Sequence, residues 1–163
     1  MSKILEISQT DAAYIAGIID GEGLIYLNRQ KGERYLLKLD VKNTSKTLLD
    51  WLRSTTGDMG SMRLLKKRGN RQPCYEWRLT PLQAHKLLKT IRPFIRAKCD
   101  QVAVAIEYQE LPREQRLLLG SKYQAALKAM HLPALRTAAG SLIETSDKDT
   151  SSQLPSQVKL MTD

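Results

Sequence analysis

The chain has 163 residues, 42% of them hydrophobic and 26% charged, with a formal net charge of +9 at pH 7. That length suits one hydrophobic core and one domain, and no apolar run approaches the ~20 residues that a membrane span needs. The positive charge is concentrated: residues 29–98 hold 18 Lys and Arg against 5 Asp and Glu, and both flanks are mildly acidic. Self-repulsion on that scale suits a polyanionic partner, and nucleic acid fits better than a membrane surface because no basic amphipathic anchor helix is evident.

Residues 1–9 contain no apolar stretch of signal-peptide length, and Cys74 and Cys99 lie far apart without metal-ligand spacing. Nothing there points to secretion, and both cysteines are expected as free thiols in a reducing compartment. Thr10, as an N-cap, predicts a helix over about residues 11–20, ended by Gly21 and Gly23. Residues 24–28 suit a strand and 30–33, with Gly32, a turn. Residues 35–43 alternate strictly, with Leu37, Leu39 and Val41 toward a core and Lys38, Asp40 and Lys42 away from it. Thr44 or Ser45 caps a second helix over 46–55, which carries Leu48, Leu49, Trp51 and Leu52.

A second hairpin, 61–67 and 74–79, puts Tyr75, Trp77 and Leu79 on one face and Cys74, Glu76 and Arg78 on the other. Thr80 and Pro81 open a third helix to about Ile91, since proline at the first helical position costs no hydrogen bond. Helices over about 97–111 and 113–130 follow, the last weakened at Gly120. The polar composition after residue 138 predicts a flexible tail at 139–163 behind a domain spanning 1–138. The order α-ββ-α-ββ-α with extra C-terminal helices predicts an α+β fold, a four-stranded antiparallel sheet with helices on one face. Its open face would carry Asn28, Gln30, Lys38, Asp40, Lys42, Glu76 and Arg78, donors and acceptors suited to base edges in a major groove. Tyr26, Lys66 and Arg68 complete the DNA-binding candidates.

The chemistry points to residues 15–23, Ile-Ala-Gly-Ile-Ile-Asp-Gly-Glu-Gly. Ala13, Gly17 and Gly21 recur every four positions and make a stripe that a second helix can approach closely. If that partner is the same helix of a second subunit, two-fold symmetry sets Glu22 beside its mate. Two adjacent carboxylates need a divalent cation, and magnesium takes one or two carboxylates together with waters and substrate phosphates. Such a site can hydrolyse a phosphodiester. Taken alone, Asp-Gly-Glu-Gly reads equally as an exposed acidic turn.

The whole nine-residue segment resembles the LAGLIDADG motif of homing endonucleases, Leu-Ala-Gly-Leu-Ile-Asp-Ala-Asp-Gly, with aliphatic changes at Ile15 and Ile18, Gly21 at a small position and Glu22 for the last acid. The resemblance extends to about residue 111 and implies a DNA-straddling saddle with the motif helices at a central interface. A single copy resembles the homodimeric branch. It implies Glu22 and the Gly21 carbonyl as metal ligands, with Asp20 ordering the helix end. Residues 93–98, Pro-Phe-Ile-Arg-Ala-Lys, resemble the segment whose lysine lies near the scissile phosphate, which makes Lys98 a catalytic candidate. Ser45 stands where relatives often have a glutamine that orders water, and Leu48 and Leu49 where a basic residue follows. Arg53 or a residue of the second hairpin is then left to fill the basic role.

The expected dimer interface is Ala13, Ala16, Gly17 and Asp20. Double-stranded DNA is the expected partner, with Mg2+ as cofactor, Mn2+ substituting, and Ca2+ supporting binding without cleavage; no membrane partner is expected. The expected location is intracellular, either an organelle (chloroplast or mitochondrion) or a bacterial cytoplasm. An intron RNA maturase and a non-cleaving DNA-binding regulator are the competing classes, against which the presence of both Glu22 and Lys98 weighs. His85 and His131 lack ligand spacing and are expected to be surface or capping residues.

Overall fold

The computed structural model describes residues 6–65 and 73–138, with side chains described through His131. The candidates Lys66 and Arg68, the end of the third strand and the 139–163 tail lie outside the described residues. Helix α1 (Gln9–Glu22) leads into β1 (Gly23–Arg29), a single 3-10 turn (Lys31–Glu33) and β2 (Tyr35–Asn43). Helix α2 (Lys46–Thr55) precedes β3 (Ser61–Leu65) and β4 (Cys74–Leu79), and α3 (Pro81–Ile91), α4 (Cys99–Glu110) and α5 (Arg113–Ala138) follow. The strands form one antiparallel sheet in the order β1-β2-β4-β3. This is the expected α+β architecture.

Local chemistry sets most boundaries where the sequence predicts them. The Ser45 hydroxyl accepts from Leu48 N at 3.3 Å to start α2. Thr80 and Gln83 form a capping box at α3, with Pro81 in its first turn. Both ends of α1 differ from the expectation. Ser8, not Thr10, is the N-cap, its hydroxyl accepting from Asp11 N at 3.1 Å. At the other end Gly21 stays helical, and only Gly23, at φ −74° and ψ 134°, leaves the helix. Its extended conformation begins β1 at once, so Glu22 is the last residue of a helix and not part of a turn.

The core fills the space between sheet and helices. Tyr35, Leu37, Leu39 and Val41 of β2 and Trp77 and Leu79 of β4 are buried against Ile15 and Ile19 of α1 and Leu87, Leu88 and Ile91 of α3. The Trp77 indole N–H donates to Met59 O at 2.8 Å, which lets the largest buried side chain keep its polar atom satisfied. Helix α5 runs 26 residues without a break at Gly120. A Cβ at Gly120 would stand 2.3 Å from Tyr35 Cδ2 and 2.9 Å from Tyr35 Cγ, so this glycine lets α5 lie directly on β2. Further along, Gln124 Nε2 donates to Leu27 O at 2.8 Å and His131 Nε2 donates to Ile25 O at 2.9 Å. The last helix thereby covers the edge strand β1, a standard protection against edge-to-edge pairing. His131 is thus a cap on a strand edge, while His85 pairs with Glu110 at 3.1 Å.

Gly120→Ala is expected to destabilise the protein by about 1–3 kcal/mol, because the clash is with the root of the Tyr35 ring and outweighs the alanine's helix propensity, worth about 1 kcal/mol. The urea midpoint measures this; a raised midpoint would show that the helix and strand separate at no cost. Both cysteines are free thiols, as expected. No described helix is long and apolar enough to cross a membrane.

Candidate active site and nucleic-acid interface

The end of α1 gathers the candidate catalytic residues. Asp20 and Glu22 both sit in the last turn, where the helix presents its unsatisfied carbonyls and the negative end of its dipole. A carboxylate there needs a compensating partner. Asp20 has three: its carboxylate accepts the backbone N–H groups of Arg96 at 2.8 Å, Ala97 at 3.2 Å and Lys98 at 3.0 Å. It therefore pins the loop that follows α3 onto the end of α1 and fixes where Lys98 begins α4.

Lys98 turns back beneath the same helix end. Its ammonium donates to Ile19 O at 2.9 Å and to Gly23 O at 2.6 Å, so it neutralises the carbonyl end of α1. Burial lowers the affinity of this amine for its proton, against the opposing pull of Asp20 and Glu22, and its pKa falls below the usual lysine value. Two of its donors are thus committed to the main chain, leaving a half-buried positive charge in the field of Glu22.

Glu22 has no hydrogen bond or ion pair among the described residues and is exposed. Gly21, one residue earlier, is also exposed, and a Cβ there would meet nothing within 4 Å. An unpaired carboxylate beside a helix-terminal carbonyl is a hard-oxygen donor set, which suits a divalent cation but offers too few ligands to complete a coordination shell. Among the described residues there is no group of three or more His, Cys, Asp and Glu placed to hold a metal. The donor set fits a cation whose remaining ligands come from another molecule.

The outward face of α1 is unusual for a solvated helix. Between residues 10 and 21 its exposed residues are Thr10, Ala13, Tyr14, Gly17 and Gly21, with no charge among them. A Cβ at Gly17 also meets nothing within 4 Å. Tyr14, 56% exposed, packs edge-on against Trp51 of α2 with ring centroids 5.1 Å apart. Two expected interface residues belong elsewhere. Ala16 is fully buried in the protomer's own core, and Asp20 is engaged by the 96–98 loop.

Ser45 stands at the end of β2, which the Gly23↔Val41 register places beside the start of β1 and therefore near Glu22. Its hydroxyl is the acceptor that caps α2, and its N–H donates to Asn43 Oδ1 at 2.8 Å. Asn43, absent from the sequence-derived candidates, is thus the amide side chain that orders this strand end. Leu49 is core. Arg53 lies about 12 Å further along α2 at 1.5 Å per residue and pairs with Asp58 at 3.8 Å.

The open face of the sheet is a checkerboard of charge set by register. Lys42 lies opposite Glu76 and Glu76 opposite Arg63; Asp40 lies opposite Arg78. Arg78 grips Asp40 with two nitrogens, at 3.1 and 3.2 Å, and reaches Glu76 at 3.0 Å. The Tyr26 hydroxyl donates to Asp40 at 2.9 Å, and burial together with that bond pushes the phenol up to about 12. Arg63 and Lys42 complete the partners of Glu76. Burial opposes ionisation of Glu76, but the Arg63 hydrogen bond and the charges of Arg78, Arg63 and Lys42 outweigh it and hold the carboxyl below its usual range.

One expectation is corrected here: Asp40 and Glu76, only 2% and 1% exposed, lie on the anticipated face but are covered by the side chains they hold. They position basic groups instead of presenting carboxylates. Asn28 and Gln30 are exposed as expected, and Lys38, half-buried, has no ion pair among the described residues. Arg63, missed in the sequence because residues 61–65 do not alternate cleanly, joins this face through its register with Glu76.

Asp20→Asn is expected to lower stability by about 1–3 kcal/mol, since an amide cannot replace a carboxylate accepting three N–H groups. Thermal unfolding checks this, and an unchanged midpoint would mean that the 96–98 loop is held by other contacts.

No family model matches the chain, and no curated protein matches it in sequence. Solved structures do match. The homing endonuclease I-CvuI in complex with its target in the presence of calcium aligns with a TM-score of 0.62 at 18% identity, over 75% of this chain and 82% of that one. The archaeal intron-encoded homing endonuclease I-Vdi141I complexed with DNA gives 0.57 at 16% identity, over 74% and 84%. I-SmaMI bound to an uncleaved DNA target with calcium gives 0.53 at 24% identity, but over 72% of this chain and only 43% of that one. The fold is that of the LAGLIDADG homing endonucleases.

Proposed function

We propose that this chain, which has the homing-endonuclease fold, is a metal-dependent, sequence-specific DNA endonuclease that acts as a homodimer on a long, near-palindromic duplex site. Glu22 carries the reading. It is a solvent-facing carboxylate with no hydrogen bond or ion pair among the described residues, at the negative end of a helix, and the adjoining helix face is uncharged and lined with small residues. Packing that face against its own copy is the arrangement that gives both oddities a purpose. It buries the stripe and brings two half-sets of metal ligands together on the two-fold axis. The copy of the fold in the described residues aligns with 82% of I-CvuI and with 43% of I-SmaMI.

Glu22 and the Gly21 carbonyl would hold the cation, Mg2+ in the working enzyme, with Mn2+ substituting and Ca2+ supporting binding alone. When bound, the cation neutralises the facing carboxylates and stabilises the charge that develops on the phosphodiester. The rest of the work belongs to the chain itself. Asp20 fixes the loop that delivers Lys98, and Lys98 keeps a positive charge beside the reacting phosphate while tying down the helix end. On the open face, Asp40 and Glu76 hold Arg78, Arg63 and Lys42 in place, and Asn28, Gln30 and Lys38 offer further donors and acceptors to base edges.

Binding is expected to weaken steeply with salt, with a log-log slope of about −3 or steeper, because several basic side chains displace phosphate counterions. A shallower slope in a salt titration would leave too few phosphate contacts for a duplex laid across the sheet. The function itself is tested on a plasmid library of palindromic sites incubated with protein and magnesium, with EDTA as control. Linearisation of a sequence-defined subset in magnesium alone supports the endonuclease; selective retention of sites without cutting would favour a DNA-binding regulator, and preference for folded RNA a maturase.

A further inference from the structure

At the end of the sheet farthest from Glu22 lies a cleft of about 390 Å3. Arg34, Arg113 and Arg116 line it, over a floor that includes Tyr35 and Tyr108, and no carboxylate among the described residues lines it. The fold brings these arginines together from distant positions. Arg34 immediately precedes β2, Arg113 opens α5, and the close approach at Gly120 seats α5 on Tyr35. Arg116 is held by a hydrogen bond from its guanidinium to Gln109 O at 3.4 Å, and Tyr108 donates its hydroxyl to Tyr35 O at 2.9 Å. Neither Arg34 nor Arg113 has an ion pair among the described residues. Three guanidinium groups around one cavity repel each other, and the planar donor fork of each matches phosphate oxygens.

Placement selects the source of the phosphate. Arg34 immediately precedes β2 and Thr80 immediately follows β4, so the cleft lies at the end of the sheet, between these strand ends and helices α4 and α5. Strand β1 begins next to Glu22 and spans seven residues, about 23 Å at about 3.3 Å per residue. A duplex leaving Glu22 along the strands reaches the cleft after about seven base pairs at about 3.4 Å each. We propose that the Arg34–Arg113–Arg116 cleft is a phosphate clamp for the duplex that flanks the read sequence, lengthening the footprint of each half-site beyond the sheet. This rests on the DNA-binding reading above.

The test uses the preferred site embedded in duplexes whose flanks are lengthened stepwise, with binding measured by anisotropy in calcium. Wild-type protein should gain roughly tenfold in affinity as the flank first covers the cleft, the scale of two or three solvent-exposed charge contacts. The triple variant Arg34→Gln, Arg113→Gln, Arg116→Gln should bind the short duplex as wild type does, lose the gain, and show a salt slope on the long duplex shallower by about 2 to 3. Thermal midpoints show whether the variant is folded, and each single variant, expected to lose part of the gain, serves if the triple is not. Wild-type protein that binds the short duplex but gains nothing from longer flanks, or variants that keep the full gain, would overturn the clamp and leave the nuclease reading intact. Wild-type protein that binds neither length would remove both.

Discussion

Glu22→Gln is expected to abolish cleavage of both strands while leaving site-specific binding within a few-fold of wild type. The substitution keeps the side-chain volume and removes the charge. Because Glu22 is exposed and has no hydrogen bond or ion pair among the described residues, stability should move by no more than about 0.5 kcal/mol. Loss of the carboxylate removes both its repulsion from the carbonyl end of α1 and its attraction to the Lys98 ammonium, two effects of opposite sign. A dead enzyme that still folds and binds therefore isolates metal ligation from every structural role. Cleavage in magnesium, run beside a gel-shift in calcium, reads both properties. Persisting magnesium-dependent cleavage would place the catalytic acid elsewhere; Asp20, already saturated by three N–H groups, is a poor substitute.

Gly17→Leu is expected to convert the protein to a monomer and remove double-strand cleavage with it. A Cβ at Gly17 meets nothing within 4 Å, so a larger side chain starts from an open position in the isolated protomer. The exchange should also favour α1 by up to about 1 kcal/mol through helix propensity. A stable monomer thus separates the interface from the fold. Sedimentation at micromolar concentration, with and without the target duplex, provides the readout, and a variant that stays dimeric would move the interface off the Ala13, Gly17, Gly21 stripe.

Some features were legible in the sequence because they follow from local chemistry. Residues 35–43 alternate without interruption, and β2 occupies that span. Ser45 and the Thr80–Pro81 pair mark helix starts that need no tertiary information. The 15–23 segment pointed to Glu22, which is exposed and has no hydrogen bond or ion pair among the described residues. What the sequence hid depends on register and on contacts between distant segments. The burial of Asp40 and Glu76 arises because antiparallel pairing sets Arg78 and Arg63 against them, and strand alternation alone cannot distinguish a free carboxylate from a covered one. The 93–98 segment singles out Lys98 but does not reveal that its ammonium ties down Ile19 O and Gly23 O, more than seventy positions away in the chain. Gly120 has the same character: a helix-weakening residue by propensity, it is a packing requirement once Tyr35 lies beneath it.

If two protomers share one catalytic centre on their two-fold axis, each strand must be cut once, at positions related by the symmetry of the site. Labelling the two strands of the preferred site separately and mapping both breaks after magnesium addition measures this. The account predicts one break per strand, symmetrically disposed about the site's centre and absent in EDTA. Breaks confined to one strand, or placed without relation to that centre, would contradict a site built from Glu22 and its two-fold mate.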